Sequence, residues 1–224
     1  MIMHSKVIAI DGPSASGKGT LALNIATELG WLILDSGAIY RLIGLLADRF
    51  GLLHQEEKLI AKLQEVDFRF DQGNCYIDDE DVTEKIRTEE VGKLASIIAS
   101  FPSLREAVLE LQRGFRRLPG LVADGRDMGT VVFPSADLKI FLEASAQARA
   151  ERRYNELKNK GFNVRLPLLL EQILERDKRD SERSVAPLIA ADDSILIDTS
   201  DLSVAAVTKL VLGFVNEKGL VEGI

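Results

Sequence analysis

The sequence has little cysteine and no long apolar run. Cys75 is the only cysteine among 224 residues, so no disulfide can form within the chain. No apolar stretch is long enough to cross a bilayer, and the first residues turn polar too soon for a signal peptide. We therefore expect a cytoplasmic protein, with Cys75 as a small strand residue.

The sequence also has fewer basic than acidic residues. The chain has 28 Lys and Arg against 35 Asp and Glu, which gives a formal net charge of −7. A general nucleic-acid binder needs a basic footprint, so we expect no nucleic-acid partner. We also expect no membrane partner. The expected state is a monomer that acts on small molecules.

The hydrophobic pattern indicates an α/β fold. Residues 6–10 (KVIAI) predict a buried strand, which is followed by a glycine-rich turn and a helical pattern that Gly30 closes. Residues 31–34 predict a second strand. A strand, a helix and a strand at this spacing form a βαβ unit of a parallel sheet. Further strands are predicted at 121–123, 138–142 and 195–197, and a last helix begins after a Ser203 cap.

One region departs from this alternation of strands and helices. Residues 66–70 alternate in polarity, Gln72, Gly73 and Asn74 indicate a turn, and residues 75–77 resume the alternation. A helix over about 88–100 follows, and Pro102 begins another. We interpret residues 60–100 as an inserted substrate lobe, although a surface excursion without function would give the same pattern.

The glycine-rich turn has the pattern of a P-loop, a loop that binds phosphate. Its glycines allow successive backbone N–H groups to point at phosphate oxygens, and the helix that follows adds its positive N-terminal dipole. We predict that Lys18 reaches the β- and γ-phosphates of ATP and that a hydroxyl approaches Mg²⁺. Because residue 19 is glycine, that hydroxyl comes from Thr20. The predicted ATP-binding residues are Gly12, Pro13, Ser14, Ala15, Ser16, Gly17, Lys18, Gly19 and Thr20.

P-loops also occur in switches and motors. A GTPase needs a guanine-reading Asn/Thr-Lys-x-Asp motif, and the stretch 159–162 (NKGF) lacks the aspartate. No signature of ABC-type ATPases is present either. The GKGT form is instead similar to that of small nucleotide kinases.

Two further motifs follow predicted strands, where ligands collect in open α/β sheets. In residues 35–41 (DSGAIYR), Arg41 can bind a phosphate with two N–H groups, although a solvated helix arginine is the plainer interpretation. In residues 124–130 (DGRDMGT), Arg126 and Asp127 place a donor beside an acceptor, although a salt bridge within the turn would also explain them.

A third arginine-rich stretch covers residues 149–183. It contains Arg149, Arg152 and Arg153, then a short loop and a second helix. By helical period, one stripe of that second helix holds Leu169, Ile173, Arg176, Asp180 and Arg183. A helix, a loop and a helix rich in arginine suit a lid that closes over phosphates, although a solvated charged face is the alternative.

Together these stretches closely resemble the bacterial cytidylate kinase family. The resemblance covers essentially the whole chain and rests on IDGPSASGKGT, LDSGAIYR, FPSLRE, ADGRDMGTVVFP and ERDKRDSER. It implies a three-layer P-loop fold with a five-stranded parallel sheet. The implied core is 1–59, 101–150 and 184–224, with a nucleoside-monophosphate-binding insert at about 60–100 and a short helical lid at about 150–165.

The resemblance also implies roles for single residues. The residues implied to line the CMP site are Ser36, Arg41, Ser96, Arg105, Arg126, Asp127, Arg176, Asp180 and Arg183. The implied catalytic residues are Lys18, Arg153, Arg176 and Arg183. Ala15 and Ser16 differ from the more glycine-rich loop typical of the family, which should not harm a backbone cradle.

The predicted reaction transfers the γ-phosphoryl group of ATP, with Mg²⁺, to CMP and also to dCMP. The acceptor phosphate has a second pKa of about 6, so it is already largely an anionic nucleophile at neutral pH. The two histidines, His4 and His54, lie outside the phosphate motifs, which fits a reaction without a general base. A kinase for UMP or AMP and an ATP-gated binding protein remain the alternatives.

Overall fold

The computed structural model describes residues 5–71 and 73–221. His4 and the predicted turn residue Gln72 lie outside these ranges. In chain order the elements are β1 (Lys6–Asp11), α1 (Lys18–Leu29), β2 (Leu32–Asp35), α2 (Ser36–Arg49), α3 (Glu56–Leu63), β3 (Phe68–Asp71), β4 (Asn74–Ile77), β5 (Glu80–Asp81), α4 (Thr83–Ile86), α5 (Glu89–Ile98), α6 (Pro102–Arg113), β6 (Gly120–Asp124), a π-helical turn (Met128–Val132), β7 (Leu138–Glu143), α7 (Ala146–Asn159), α8 (Leu166–Glu182), β8 (Ile195–Asp198) and α9 (Val204–Glu217). None of these helices is long and apolar enough to cross a membrane.

The chain divides into two compact units. The first holds residues up to Leu34 and from Arg113 onward, and the second holds Asp35–Gln112. The sheet of the first unit has the strand order β2-β6-β1-β7-β8. The pairs β1–β6, β1–β7 and β7–β8 are parallel. The α/β fold with a five-stranded parallel sheet, predicted from the sequence, is confirmed.

The core of the first unit lies between this sheet and helices α1 and α9. The central strand β1 is buried along Val7–Asp11, as its run of β-branched residues predicts. Its neighbours in the core are Leu21 and Ile25 of α1, Val122 of β6, Ile140 of β7, and Val207, Val211 and Val215 of α9. Each fully buried side chain of this size contributes about 1.5–3 kcal/mol relative to an exposed one. This packing stabilises the edge of the sheet at which the carboxyl ends of the parallel strands meet.

The second unit is built from helices and a small sheet. Its three antiparallel strands have the order β3-β4-β5. The predicted hairpin is present, with Asp71 opposite Asn74 and with Gly73 at φ 84 in the turn. Cys75 lies buried on β4, and burial raises the pKa of its thiol to about 11, so the thiol is unreactive at neutral pH. How far a nucleotide-binding lobe or a lid extends stays a prediction.

One local prediction needs correction. Trp31 lies outside β2, because Gly30 ends α1 in a left-handed conformation and the N–H of Trp31 donates to the carbonyl of Ala26. Residues 128–132, in and just after the predicted motif 124–130, form a π-helical turn. The carbonyl of Asp127 accepts from the N–H groups of both Val131 and Val132, and this shared acceptor widens the turn.

Candidate phosphate-binding and acceptor sites

The predicted P-loop connects β1 to α1 and requires glycine at two positions. Gly12 has φ 145, and a Cβ there would lie 2.3 Å from the carbonyl oxygen of Leu142. Gly17 precedes the first helical residue with φ 94, in the left-handed region. Ala15 also lies in that region, at φ 57, where a residue with a Cβ is strained. Position 15 is therefore one where glycine would be the least strained residue.

Lys18 is the first residue of α1, and its side chain turns back onto the loop. Its Nζ donates to the carbonyl of Pro13 at 2.7 Å and is 3.4 Å from Oγ of Ser16, and the side chain is buried. Burial and the nearby positive charge of Arg126 lower the pKa of Lys18 to about 7. The ammonium group is therefore placed where an anion would be strongly attracted.

An acidic residue that sequence reasoning left out lies beside the P-loop. Asp124 ends β6, where it is opposite Ile10 of β1. Its Oδ2 is 3.4 Å from the position that a Cβ on Gly19 would occupy. Thr20, the predicted Mg²⁺ ligand, is exposed on the first turn of α1. A carboxylate therefore lies close to the first residues of α1.

Arg126 forms an ion pair with Asp180. Nε of Arg126 donates to Oδ2 of Asp180 at 2.9 Å, and both side chains are largely buried. Burial alone would raise the pKa of Asp180, but the positive charges of Arg126 and Arg176 outweigh burial and hold that pKa below its usual value. The pair joins the loop after β6 to helix α8.

Asp11, at the end of β1, holds the backbone of the same loop. Its two carboxylate oxygens each accept a hydrogen bond at 2.8 Å, one from the N–H of Met128 and one from the N–H of Gly129. Burial nevertheless raises the pKa of Asp11 to about 7, and the charge of Asp127 adds to that effect. Asp127 itself is 2% exposed and directly precedes the π-helical turn. Asp11 thus orders the segment that follows Asp127.

The second unit contains the other predicted acceptor residues. Oγ of Ser36 accepts from Nε2 of Gln112 at 2.8 Å, and both residues are buried. Arg105 donates to the carbonyl of Ala99 at 3.1 Å, and its guanidinium lies 5.4 Å from the centre of the Tyr40 ring. Ser96 is buried on α5.

Arg41 extends from α2 towards the start of α5. Its NH1 donates to the carbonyl of Ile86 at 2.6 Å and to that of Thr88 at 2.9 Å. Because both acceptors are backbone groups, they hold the guanidinium in one orientation.

The arginines near the predicted lid have different surroundings. Arg149 is buried, ion-pairs with Asp177 at 2.5 Å, and donates to the P-loop carbonyl of Ser14 at 3.3 Å. Arg152 donates to the carbonyl of Thr199. Arg153 pairs with Glu156 at 2.6 Å, within its own helix. Arg149 and Arg152 therefore connect α7 to the rest of the first unit.

The family can now be identified from the whole chain. The sequence model of the family described as "Cytidylate kinase" matches residues 8–217. The chain belongs to the cytidylate kinase family. Cytidylate kinase from Shewanella sp. (strain MR-4) is 49% identical over 97% of this chain and 98% of its own length. That from Shewanella putrefaciens (strain CN-32) is also 49% identical, with the same coverage.

Seen as a cytidylate kinase, the chain brings several predicted residues together and separates others. Arg126, Arg176 and Asp180 lie within electrostatic reach of one another. Arg183 does not continue the predicted stripe of α8, because it caps the helix with extended backbone and donates to the carbonyl of Ala186. The other predicted members of that stripe, Leu169 and Ile173, are buried in the helix.

Sequence reasoning missed Asp11, Asp124, Gln112 and the Arg149–Asp177 pair. Asp11 and Asp124 each end a strand directly before a glycine of a quoted motif, and that position was the available signal. Gln112 and Asp177 belong to helices without such a signal. The partners of these two lie 76 and 28 residues away in sequence, so no local pattern reveals them.

Proposed function

We propose that this protein transfers the γ-phosphoryl group of ATP to CMP and dCMP, producing CDP and dCDP in pyrimidine nucleotide metabolism. Membership of the cytidylate kinase family supports the reaction. One structural observation supports placing the reaction at the carboxyl ends of the parallel strands, beside the P-loop. Lys18, Arg126 and Arg176 are close enough for their charges to repel, although the chain as a whole is acidic. A polyphosphate would relieve that repulsion.

The P-loop would bind the phosphates of ATP through residues 12–20. Lys18 would exchange its bond to the Pro13 carbonyl for the β- and γ-phosphates. A cavity of about 60 Å³ adjoins the loop, and we propose that the adenine lies towards it. Its lining combines polar and apolar side chains: Ser16, Gly17, Leu21, Leu142, Arg152, Thr199, Leu202, Val204 and Val207.

Mg²⁺ would accompany ATP. In residues 5–71 and 73–221, no group of three or more His, Cys, Asp or Glu side chains could hold a metal ion by itself. Mg²⁺ commonly needs only one or two protein oxygens beside the phosphates. The Thr20 hydroxyl and the Asp124 carboxylate are hard oxygen donors at the P-loop, so they fit this requirement. When bound, the ion would neutralise charge on the transferring phosphoryl group.

The proposed CMP-binding residues are those that the family resemblance implies. Arg126 and Asp127 would read the cytosine, with Ser96 and Arg105 also near the base. Arg176 and Asp180 would lie near the sugar. Arg41 and Arg183 would bind the phosphate, and Ser36 would be a further contact. The arginines held by defined partners, above all Arg126, are preorganised for this task.

Catalysis would consist of positioning and charge neutralisation. His54 is the histidine in the described part of the chain, and it is exposed outside the phosphate motifs. The acceptor phosphate, with a second pKa of about 6, needs no base. Lys18, Arg153, Arg176 and Arg183 would stabilise the transferring group.

Release of ADP, measured with CMP, dCMP, UMP and AMP in turn, tests the proposal. We expect the highest kcat/KM with CMP, and turnover with dCMP. A preference for UMP or AMP would mean that the protein is a kinase for that nucleoside monophosphate instead. ATP binding without multiple turnover on any monophosphate would identify an ATP-gated binding protein instead. A cytoplasmic location and a monomeric state accord with small-molecule substrates, and both stay proposals.

A further inference from the structure

Gly92, a residue of α5 outside every motif discussed above, lies against the guanidinium of Arg41. A Cβ built on Gly92 would be 2.7 Å from NH2 of Arg41, 3.1 Å from its Cζ and 3.2 Å from its NH1. Such distances are too short for van der Waals contact, so a side chain at position 92 and the present guanidinium position exclude each other.

The same turn of α5 also holds Arg41 by hydrogen bonds. The carbonyl of Thr88, the N-cap of α5, accepts from NH1 of Arg41 at 2.9 Å and from the N–H of Gly92 at 3.0 Å. The carbonyl of Ile86, which ends α4, accepts from NH1 at 2.6 Å. The guanidinium therefore lies against the first turn of α5, and the missing Cβ of Gly92 provides the space.

We propose that Gly92 is a positioning residue for the acceptor phosphate, because its lack of a side chain sets the orientation of Arg41. This inference rests on the proposed function, in which Arg41 binds the phosphate of CMP. An arginine recognises a phosphate through a planar, bidentate arrangement of N–H groups. The orientation of that plane therefore decides how well the phosphate is held in line for transfer.

Gly92 lies within helix α5. Glycine in a helix interior is less stable than alanine, so Gly92→Ala improves the helix propensity of α5. The three heavy atoms nearest to such a Cβ all belong to the far end of the flexible Arg41 side chain. The fold should therefore tolerate the alanine, whereas Arg41 must leave at least one of its two carbonyls.

The experiment compares Gly92→Ala with the wild type in kcat/KM for CMP, KM for ATP and melting temperature. We expect kcat/KM for CMP to fall by about 10- to 100-fold, mainly through KM. KM for ATP should change little, and the melting temperature should stay equal or rise. Gly213→Ala is the matched control, because Gly213 is also helical and its Cβ would meet nothing within 4 Å. That variant should keep wild-type kinetics.

A double-mutant cycle with Arg41→Ala identifies the mechanism. If Gly92 acts through Arg41, the alanine at position 92 should have little further effect on kcat/KM once the guanidinium is absent. A crystal structure of Gly92→Ala should show the guanidinium displaced from the carbonyls of Ile86 and Thr88, whatever the residual activity. An unmoved Arg41, or wild-type kinetics with CMP in Gly92→Ala, would overturn the inference. Failure of the wild type to phosphorylate CMP would instead overturn the proposed function.

Discussion

Nε of Arg126 donates to Oδ2 of Asp180 at 2.9 Å, which joins two motifs that lie 54 residues apart in the sequence. Asp180 also feels the positive charges of Arg176 and Arg183, so one carboxylate balances several cations. That balance keeps the arginines in place before an anionic substrate arrives.

We predict that Asp180→Ala destabilises the protein strongly. Removing one partner of a buried ion pair leaves the other charge uncompensated, which costs about 3–5 kcal/mol. Thermal or urea unfolding measures this loss. The double variant Arg126→Met with Asp180→Leu should recover part of the stability but none of the CMP kinase activity. A single variant as stable as the wild type would contradict the role of the pair.

Lys18→Ala should keep the fold but lose most phosphoryl transfer. Loss of a contact to the β- and γ-phosphates should lower kcat by roughly 10²-fold or more. Steady-state kinetics with CMP and ATP measures the effect, and circular dichroism checks the fold. Lys209→Ala, which changes an exposed lysine on α9, is the control and should behave as the wild type. A near-normal kcat in the folded Lys18→Ala variant would show that Lys18 does not contribute to phosphoryl transfer.

The raised pKa of Asp11 should make the stability of the protein depend on pH. Its pKa is about 7 in the folded chain, against an ordinary value of 3.8, because burial disfavours the charged form. Between those two pH values the folded state binds one proton more than the unfolded state, so this group's contribution to stability falls as pH rises. A pKa difference of about three corresponds to about 4 kcal/mol.

Asp11→Asn removes that titration and provides the test. The free energy of unfolding of the wild type, relative to the variant, should decrease from pH 4 to pH 7. Above about pH 8 the difference should become constant, because Asp11 is then charged in both states. A difference that stays constant across the whole range would mean that burial does not raise this pKa.

Asp127 should read the cytosine. A carboxylate accepts from the N4 amino group of cytosine, whereas uracil places an oxygen there and would leave two acceptors facing each other. We expect Asp127→Ala to lose roughly 10²- to 10⁴-fold in kcat/KM for CMP and much less for UMP, so that selectivity falls. An equal loss with both substrates would show that Asp127 only supports its loop.

Much of the fold could be predicted from local patterns. The short, mainly apolar runs around Ile8 and Ile140 predicted buried strands, because alternating strand and helix segments bury such runs in a parallel sheet. Ser203 was correctly expected to cap the last helix, since its hydroxyl accepts from the N–H of Ala206. The π-helical turn could not be predicted, because it depends on both Val131 and Val132 sharing the carbonyl of Asp127.

The sequence by itself determined the P-loop pattern, the alternation of strands and helices along the main sheet, and the family, because these depend on neighbouring residues and on short motifs. Only the tertiary structure decided which partner each charged group has. Asp11 binds N–H groups 117 and 118 residues away, and Gly92 lies against Arg41 of another helix. Such pairs arise from the order of strands in the sheet and from the packing of helices, neither of which a local pattern encodes.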